Sequence, residues 1–395
     1  MHQLTGKWPE HPQMEPTGTE GLATKWRRVV GRRSFLHGVG IAGASLAATR
    51  LAAESKKKLS SGDAAILRLL AAAELIESDL WTQYAELGGV NSPTGGNPAY
   101  TAALQNLDGD MPQYISDNAD DEISHAAFLN AYLMSRGAKP VNLDMFKTTV
   151  LGSKATGASG APRLTNLMRL DVDTSFWTRY RSTQNPDFGV TFPQAVTIKN
   201  QPAIPISDTD TPPTTAQPVP VPPGAAMRMQ AIANSASFHF GFIEQGGSSL
   251  YPTLALKVTD LEVLRILLSI GGVEIDHFGL WHDKMGNAIS QPLAGVVDPE
   301  TGTSFPDFNN PAVQASLGLS NDLAQTNLIL PEPCQFIGNL PDCSIIRPIS
   351  TRLSGAVAAI NSLVGDNLFM GQSPGLVEEL MDLATAADGA ERDSG

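Results

Sequence analysis

Glu122-Ile123-Ser124-His125 and Glu274-Ile275-Asp276-His277 are two copies of one pattern, Glu-x-x-His, each inside a stretch with helical apolar spacing. Positions i and i+3 of a helix share a face, so each copy aims a carboxylate and an imidazole at one point. With 16 glutamates and seven histidines in 395 residues, chance placement gives about 0.3 such pairs against the two present. The excess points to chemistry carried on two separate helices.

Four helical runs frame these strings. From Ser60, the positions Ile66, Leu69, Leu70, Ala73, Ile76, Leu80 and Tyr84 recur at helical spacing behind cap-like Ser61-Gly62-Asp63, and Gly88-Gly89 ends the run. Residues 91–98 read as loop. The first Glu-x-x-His lies in a second helix over roughly 112–135, stopped by Arg136-Gly137 with Pro140 beyond. A third helix passes from Ala225 through Met229, Ile232, Phe238, Phe242 and Leu250 to a break near Tyr251-Pro252. The fourth, from Asp260 to about Lys284, carries the second Glu-x-x-His, with Leu261, Leu264, Leu268, Val273, Phe278 and Leu280 as its apolar set. The fold class expected is mainly α: two helical hairpins joined by a long crossover into a four-helix bundle.

The organisation that follows is an N-terminal extension with an export signal over 1–53, bundle helices 1 and 2 over 60–136, an insertion or crossover over 137–224, bundle helices 3 and 4 over 225–285, and a C-terminal extension over 286–395. The insertion is rich in Gly, Ser, Thr and Pro, and its stretch 209–224 is too proline-rich for regular structure. A short helix is expected within 164–180. The C-terminal extension is mostly irregular, with late helical signals at 354–363 and 375–387 that read as peripheral covers for the bundle.

Charge separates the two ends of the chain. The first 58 residues hold ten Lys/Arg against four Glu, which leaves 17 basic against 36 acidic residues in the remainder, a net charge of −19. So acidic a body disfavours nucleic acid and anionic membranes and attracts cations. The basic start contains Gly31-Arg32-Arg33-Ser34-Phe35-Leu36 followed by a small, apolar run to Ala48. It looks like a twin-arginine export signal, with Arg32 and Arg33 as its core, cleavage near Ala48 or Ala53, and the twin-arginine translocase as partner. The apolar run is shorter than the ~20 residues needed to span a bilayer, so no transmembrane span is expected in the mature chain. The destination implied is periplasmic or extracellular. There an oxidising environment would allow a disulfide between the two cysteines, Cys334 and Cys343; two buried thiols or a two-thiolate metal site are the alternatives.

A dinuclear carboxylate site in a helical bundle takes one Glu from each of two helices and a Glu-x-x-His from each of the other two. The single carboxylates should then come from helices 1 and 3. Helix 1 offers Glu74, among alanines and leucine, with Glu77 as the alternative one turn on; helix 3 offers only Glu244, in an almost wholly apolar setting. Burying such carboxylates is costly unless they are paired or bound to metal. Buried ion pairing without metal is the competing explanation.

These residues carry a resemblance. The pattern resembles the ferritin-like (di-iron carboxylate) superfamily, and the exported, insertion-bearing arrangement resembles its desiccation-related bacterial group. Helix 1 is similar to the first helix of bacterioferritins, where a metal-binding Glu is followed seven residues later by an aromatic; here that is Glu74 with Trp81 or Glu77 with Tyr84. Helix 3 repeats the spacing with Glu244 and Tyr251. The resemblance implies a first metal held by Glu74, Glu122 and His125 and a second by Glu244, Glu274 and His277, with the Glu-x-x-His carboxylates bridging. Two iron or manganese ions suit such a donor set. His239 and His282 read as surface residues or neighbours of the ligands, Asp276 and Asp283 as solvent-facing, and Asp79 and Asp121 as hydrogen-bond partners of the imidazoles.

The function implied is redox chemistry with dioxygen or peroxide, as a ferroxidase or peroxide-detoxifying stress protein; no catalytic residue separate from the ligands is expected. The other reading is a non-catalytic envelope or stress protein that uses the bundle as a binding or scaffolding unit, through its crossover and tail. A ferritin-type storage cage fits less well, because both extra regions would have to avoid the shell contacts. Self-association into a smaller homo-oligomer stays open.

Overall fold

The computed structural model describes residues 58–180, 193–210, 225–319 and 355–392. Arg32, Arg33, the Pro-rich 211–224, Cys334 and Cys343 lie outside them, and with them the expected export signal and disulfide.

Helix α1 (Ser61–Gly88) starts where Ser60 turns its hydroxyl back to accept the Asp63 amide at 2.9 Å, satisfying one of the free donors of the first turn. It buries Ile66, Leu70, Leu80, Trp81 and Tyr84. A short helix, α2 (Pro98–Leu107), begins at the last residue of the 91–98 loop and was not expected. Asn97 caps it by accepting the Tyr100 amide at 3.0 Å and Pro98 opens it, the Asn-Pro signature of a helix start. Helix α3 (Met111–Ser135) then packs along α1.

The described parts of the insertion, 137–180 and 193–210, are mostly irregular rather than one long helix. Of the helix expected over 164–180 only α4 (Phe176–Tyr180) forms. The residues before it are instead claimed by α1: the buried Asp79 carboxylate accepts the Leu164 amide at 3.0 Å, the Thr165 amide at 2.9 Å and the Thr165 hydroxyl at 2.7 Å. Those three bonds satisfy two buried backbone donors and a hydroxyl in a segment that stays irregular.

After strand β1 (Ala225–Ala226), helix α5 (Arg228–Ala255) runs through the middle of the molecule and is buried on every side. It does not break at Pro252. Leu250, Tyr251, Thr253 and Leu254 are all buried around the proline, and packing outweighs the one helical bond that proline removes. Helix α6 (Leu261–Met285) begins at Asp260, whose carboxylate accepts the Glu262 amide at 2.8 Å. Its buried face differs from the apolar set expected. Val263, Ile266, Leu267, Ile270, Glu274, His277 and Trp281 point inward, whereas Leu261 and Leu268 are 72% and 61% exposed. The polar Glu274 and His277 face the core, so the true face is rotated from the one hydrophobicity alone selects.

The hairpins are tied at one end by charge. Asp63 accepts the Thr259 and Asp260 amides at 2.9 and 3.1 Å, and Arg136 donates to Asp260 at 2.9 Å and Glu262 at 3.0 Å. Strand β2 (Val296–Val297) pairs in parallel with β1. Helix α7 (Pro311–Ser316) follows, and then α8 (Ala356–Gly365) and α9 (Pro374–Asp388), where late helices were expected. Helix α9 packs on α1 and α8, with Asp388 capping the start of α8 by accepting the Ala356 and Val357 amides at 3.0 and 2.9 Å. The tail also joins the insertion, through Asn166 to Leu368 and Asp171 to Asp366. Among the described residues no helix is long and apolar enough to cross a membrane.

Candidate metal centre

Each of the four long helices contributes to one buried polar cluster. Glu74, Glu122, His125 and Glu274 form one group and Glu122, Glu244, Glu274 and His277 a second, the donor atoms of each lying within 4.8 Å of one another. Glu122 and Glu274 belong to both groups. All six residues are buried, the four glutamates completely.

The imidazoles sit among the carboxylates. His125 Nδ1 lies 3.0 Å from Glu122, 3.3 Å from Glu74 and 3.5 Å from Glu274. His277 Nδ1 lies 3.1 Å from Glu122 and 3.3 Å from Glu244, while its Nε2 faces Asp121 at 3.1 Å. Asp121 thus orients an imidazole as expected. Asp79 does not, being engaged with Leu164 and Thr165.

The helix-1 register is decided by a crosswise arrangement. Trp81, seven residues after Glu74, donates its indole N–H to Glu244 at 2.9 Å, and Tyr251, seven residues after Glu244, donates its hydroxyl to Glu74. Glu74 is the helix-1 carboxylate in the cluster, and Glu77 belongs to neither group. Sequence reasoning missed Asn118, which donates to Glu122 at 2.7 Å and Glu244 at 3.0 Å and accepts from the Trp281 indole at 2.6 Å. Its position four residues before Glu122, on the same helical face, was the available signal. The histidines read as surface or neighbouring residues are both buried. His239 accepts or donates at Tyr84 over 2.7 Å, and His282 stacks on Trp177. Asp276 and Asp283 face solvent as expected.

Burial dominates the electrostatics. It raises the carboxyls of Glu74, to about 8, and of Glu274 and Glu244, with the Glu122 charge adding to the rise in each. Glu122 goes the other way: burial alone would raise it, but His125 and His277 hold it down at about 2. Burial alone would lower His125, yet its contacts with Glu122, Glu274 and Glu74 push it up to about 12, and His277 is likewise raised by Asp121, Glu122 and Glu244.

Without a cation the cluster is only half satisfied. Glu74 Oε2, Glu244 Oε2, both Glu274 oxygens and His277 Nδ1 are buried and make no well-aligned hydrogen bond. Stranding buried donors and acceptors in this way is costly. A pair of divalent cations would supply the missing partners and balance four carboxylates. The donor set therefore fits a dinuclear metal group.

The comparisons with known proteins agree in part. A family described as a ferritin-like domain matches residues 62–287, more than half of the chain. No curated protein and no solved structure matches it. The chain belongs to the ferritin-like domain family.

Proposed function

Starting from that membership, we propose that the chain is an exported redox protein that holds a dinuclear iron or manganese centre and reacts with dioxygen or peroxide, as a ferroxidase or a peroxide-removing stress protein of desiccation-related type. Export is supported by the Arg32-Arg33 string and the basic start it lies in. The observation that carries the reading is the pair of groups sharing Glu122 and Glu274, with five buried donor atoms that make no well-aligned hydrogen bond.

Glu74 and His125 would hold one cation and Glu244 and His277 the other, with Glu122 and Glu274 between them. When bound, such a pair supplies electrons to, or takes them from, an oxygen species. The chain's own residues do the rest. Asn118, Trp81 and Tyr251 fix the carboxylate orientations by hydrogen bonds. Stacked Trp81 and Trp281, 5.3 Å apart, and Phe240 close off the Glu244 side from water. His125 lies at the wall of a surface groove of about 570 Å³ between α3 and α6, lined also by Glu262 and the Tyr132 ring, which offers hydrated cations a route to the cluster.

Elemental analysis of the full chain purified after native export tests the proposal. About two Fe or Mn per chain is the expected content, and a Glu122→Ala/His125→Ala variant that still folds should lose it. No metal in the native protein, or full occupancy in that variant, would overturn it. The scaffolding alternative loses its main motive, since the described parts of the insertion and tail bond to each other and to α1.

A further inference from the structure

An apolar cavity of about 50 Å³ lies on the opposite side of the cluster from the His125 groove, between α1, α5 and α8. Its walls include Leu69, Leu80, Phe242, Leu250 and Ile360, so the C-terminal extension provides the roof.

Three residues connect this cavity to the cluster. Gly247 lines it, and a Cβ placed on Gly247 would fall 2.4 Å from Glu274 Oε2, so Glu274 stands directly behind a glycine backbone. Tyr251 lines it and donates its hydroxyl to Glu74. Glu77, the helix-1 glutamate outside both groups, also lines it. Burial raises the Glu77 carboxyl well above its ordinary value, and the charges of Glu274 and Glu74 raise it further.

Size and polarity select the occupant. A dry cavity of ~150 Å³ takes benzene, and a water molecule needs only ~10–15 Å³ but also two to four polar partners. The cavity is too small for the first. It is also poor in partners for water, because the Tyr251 hydroxyl is already committed to Glu74 and the walls are otherwise hydrocarbon but for Glu77 and Ser362. The adjacent Gly246-Gly247 pair sits inside a helix, where glycine costs roughly 0.5–1 kcal/mol relative to alanine; at Gly247 the missing Cβ leaves room for the Glu274 carboxylate.

We propose that this chamber is a binding site for a small uncharged gas of dioxygen's size and polarity, placed to supply the Glu274 edge of the cluster while cations use the His125 side. The supply role rests on the redox reading above; the gas site itself does not.

Xenon pressurisation of full-chain crystals, metal-free and metal-loaded, tests the two parts separately. Xenon is expected in the chamber in both forms. Ala359→Phe, from the α8 roof, or Ala73→Leu, from the α1 wall, should remove it while metal content stays at the wild-type level. Either variant should also raise the dioxygen concentration for half-maximal Fe(II) oxidation by about tenfold. Absence of xenon from the wild-type chamber would overturn the gas site. Xenon displaced with the dioxygen dependence unchanged would overturn the supply role. A protein that binds xenon but no metal would sink the redox reading alone.

Discussion

At the scale of single residues, what decides this site is how each charged or polar atom is partnered. Gly247 is the sharpest case. Because an added Cβ would press on Glu274 Oε2 at 2.4 Å, Gly247→Ala should displace a carboxylate shared by both groups and weaken metal affinity by about 10–100-fold. Isothermal titration with Mn(II), beside a circular dichroism spectrum that stays helical, checks this. His239 gives a pH signature remote from the cluster. Burial holds it down at about 3, with only the Tyr84 hydroxyl bonded to it, while the unfolded chain titrates near 6.5. The unfolded state therefore binds the extra proton between these values, so the contribution is fully present above pH 6.5 and is lost as pH falls toward 3. At pH 5 the loss is about 2 kcal/mol. Urea unfolding of wild type and His239→Gln at pH 7 and pH 5 should show the pH difference shrinking by about that amount in the variant.

At the scale of elements, capping and clamping residues set where helices stop and what covers them. Asp79 shows how a helix can dictate the conformation of a loop. It uses one carboxylate to hold Leu164 and Thr165 out of the helix their spacing favours. Asp79→Ala leaves those two amides unpaired and the Thr165 hydroxyl with only the bond it accepts from Gln83, at a cost of about 2–3 kcal/mol. Limited proteolysis should then cut within 160–175 faster than in the wild type, and equal cleavage rates would refute the clamp. The α6 face makes a related point. Hydrophobicity favours Leu261 and Leu268, but a helix whose ligands must face inward turns its nearby leucines outward.

At the scale of the molecule, the bundle is closed by regions that the chain adds before and after its second hairpin. Helix α9 buries Leu376, Leu380 and Leu383 in packing on α1 and α8. Leu380→Ala should cost about 2–4 kcal/mol by cavity formation without changing metal content, read by denaturant unfolding and elemental analysis together. Metal loss in that variant would mean that the tail shapes the centre itself as well as its surroundings.

The sequence alone determined what is local: the two Glu-x-x-His strings, the helices that carry them, Glu244 as the lone carboxylate of its helix, and so five of the six residues that meet. A spacing of three or four residues is fixed by helix geometry before any packing occurs. Only the tertiary structure decided between Glu74 and Glu77, crossed Trp81 to Glu244 and Tyr251 to Glu74, chose the buried face of α6, and set the tail over a cavity behind Glu274. Glu74 and Glu77 stand about 60° apart around one helix axis. That difference is smaller than the width of an apolar face, so only side chains interlocking between helices, as Trp81 and Tyr251 do, fix the rotation.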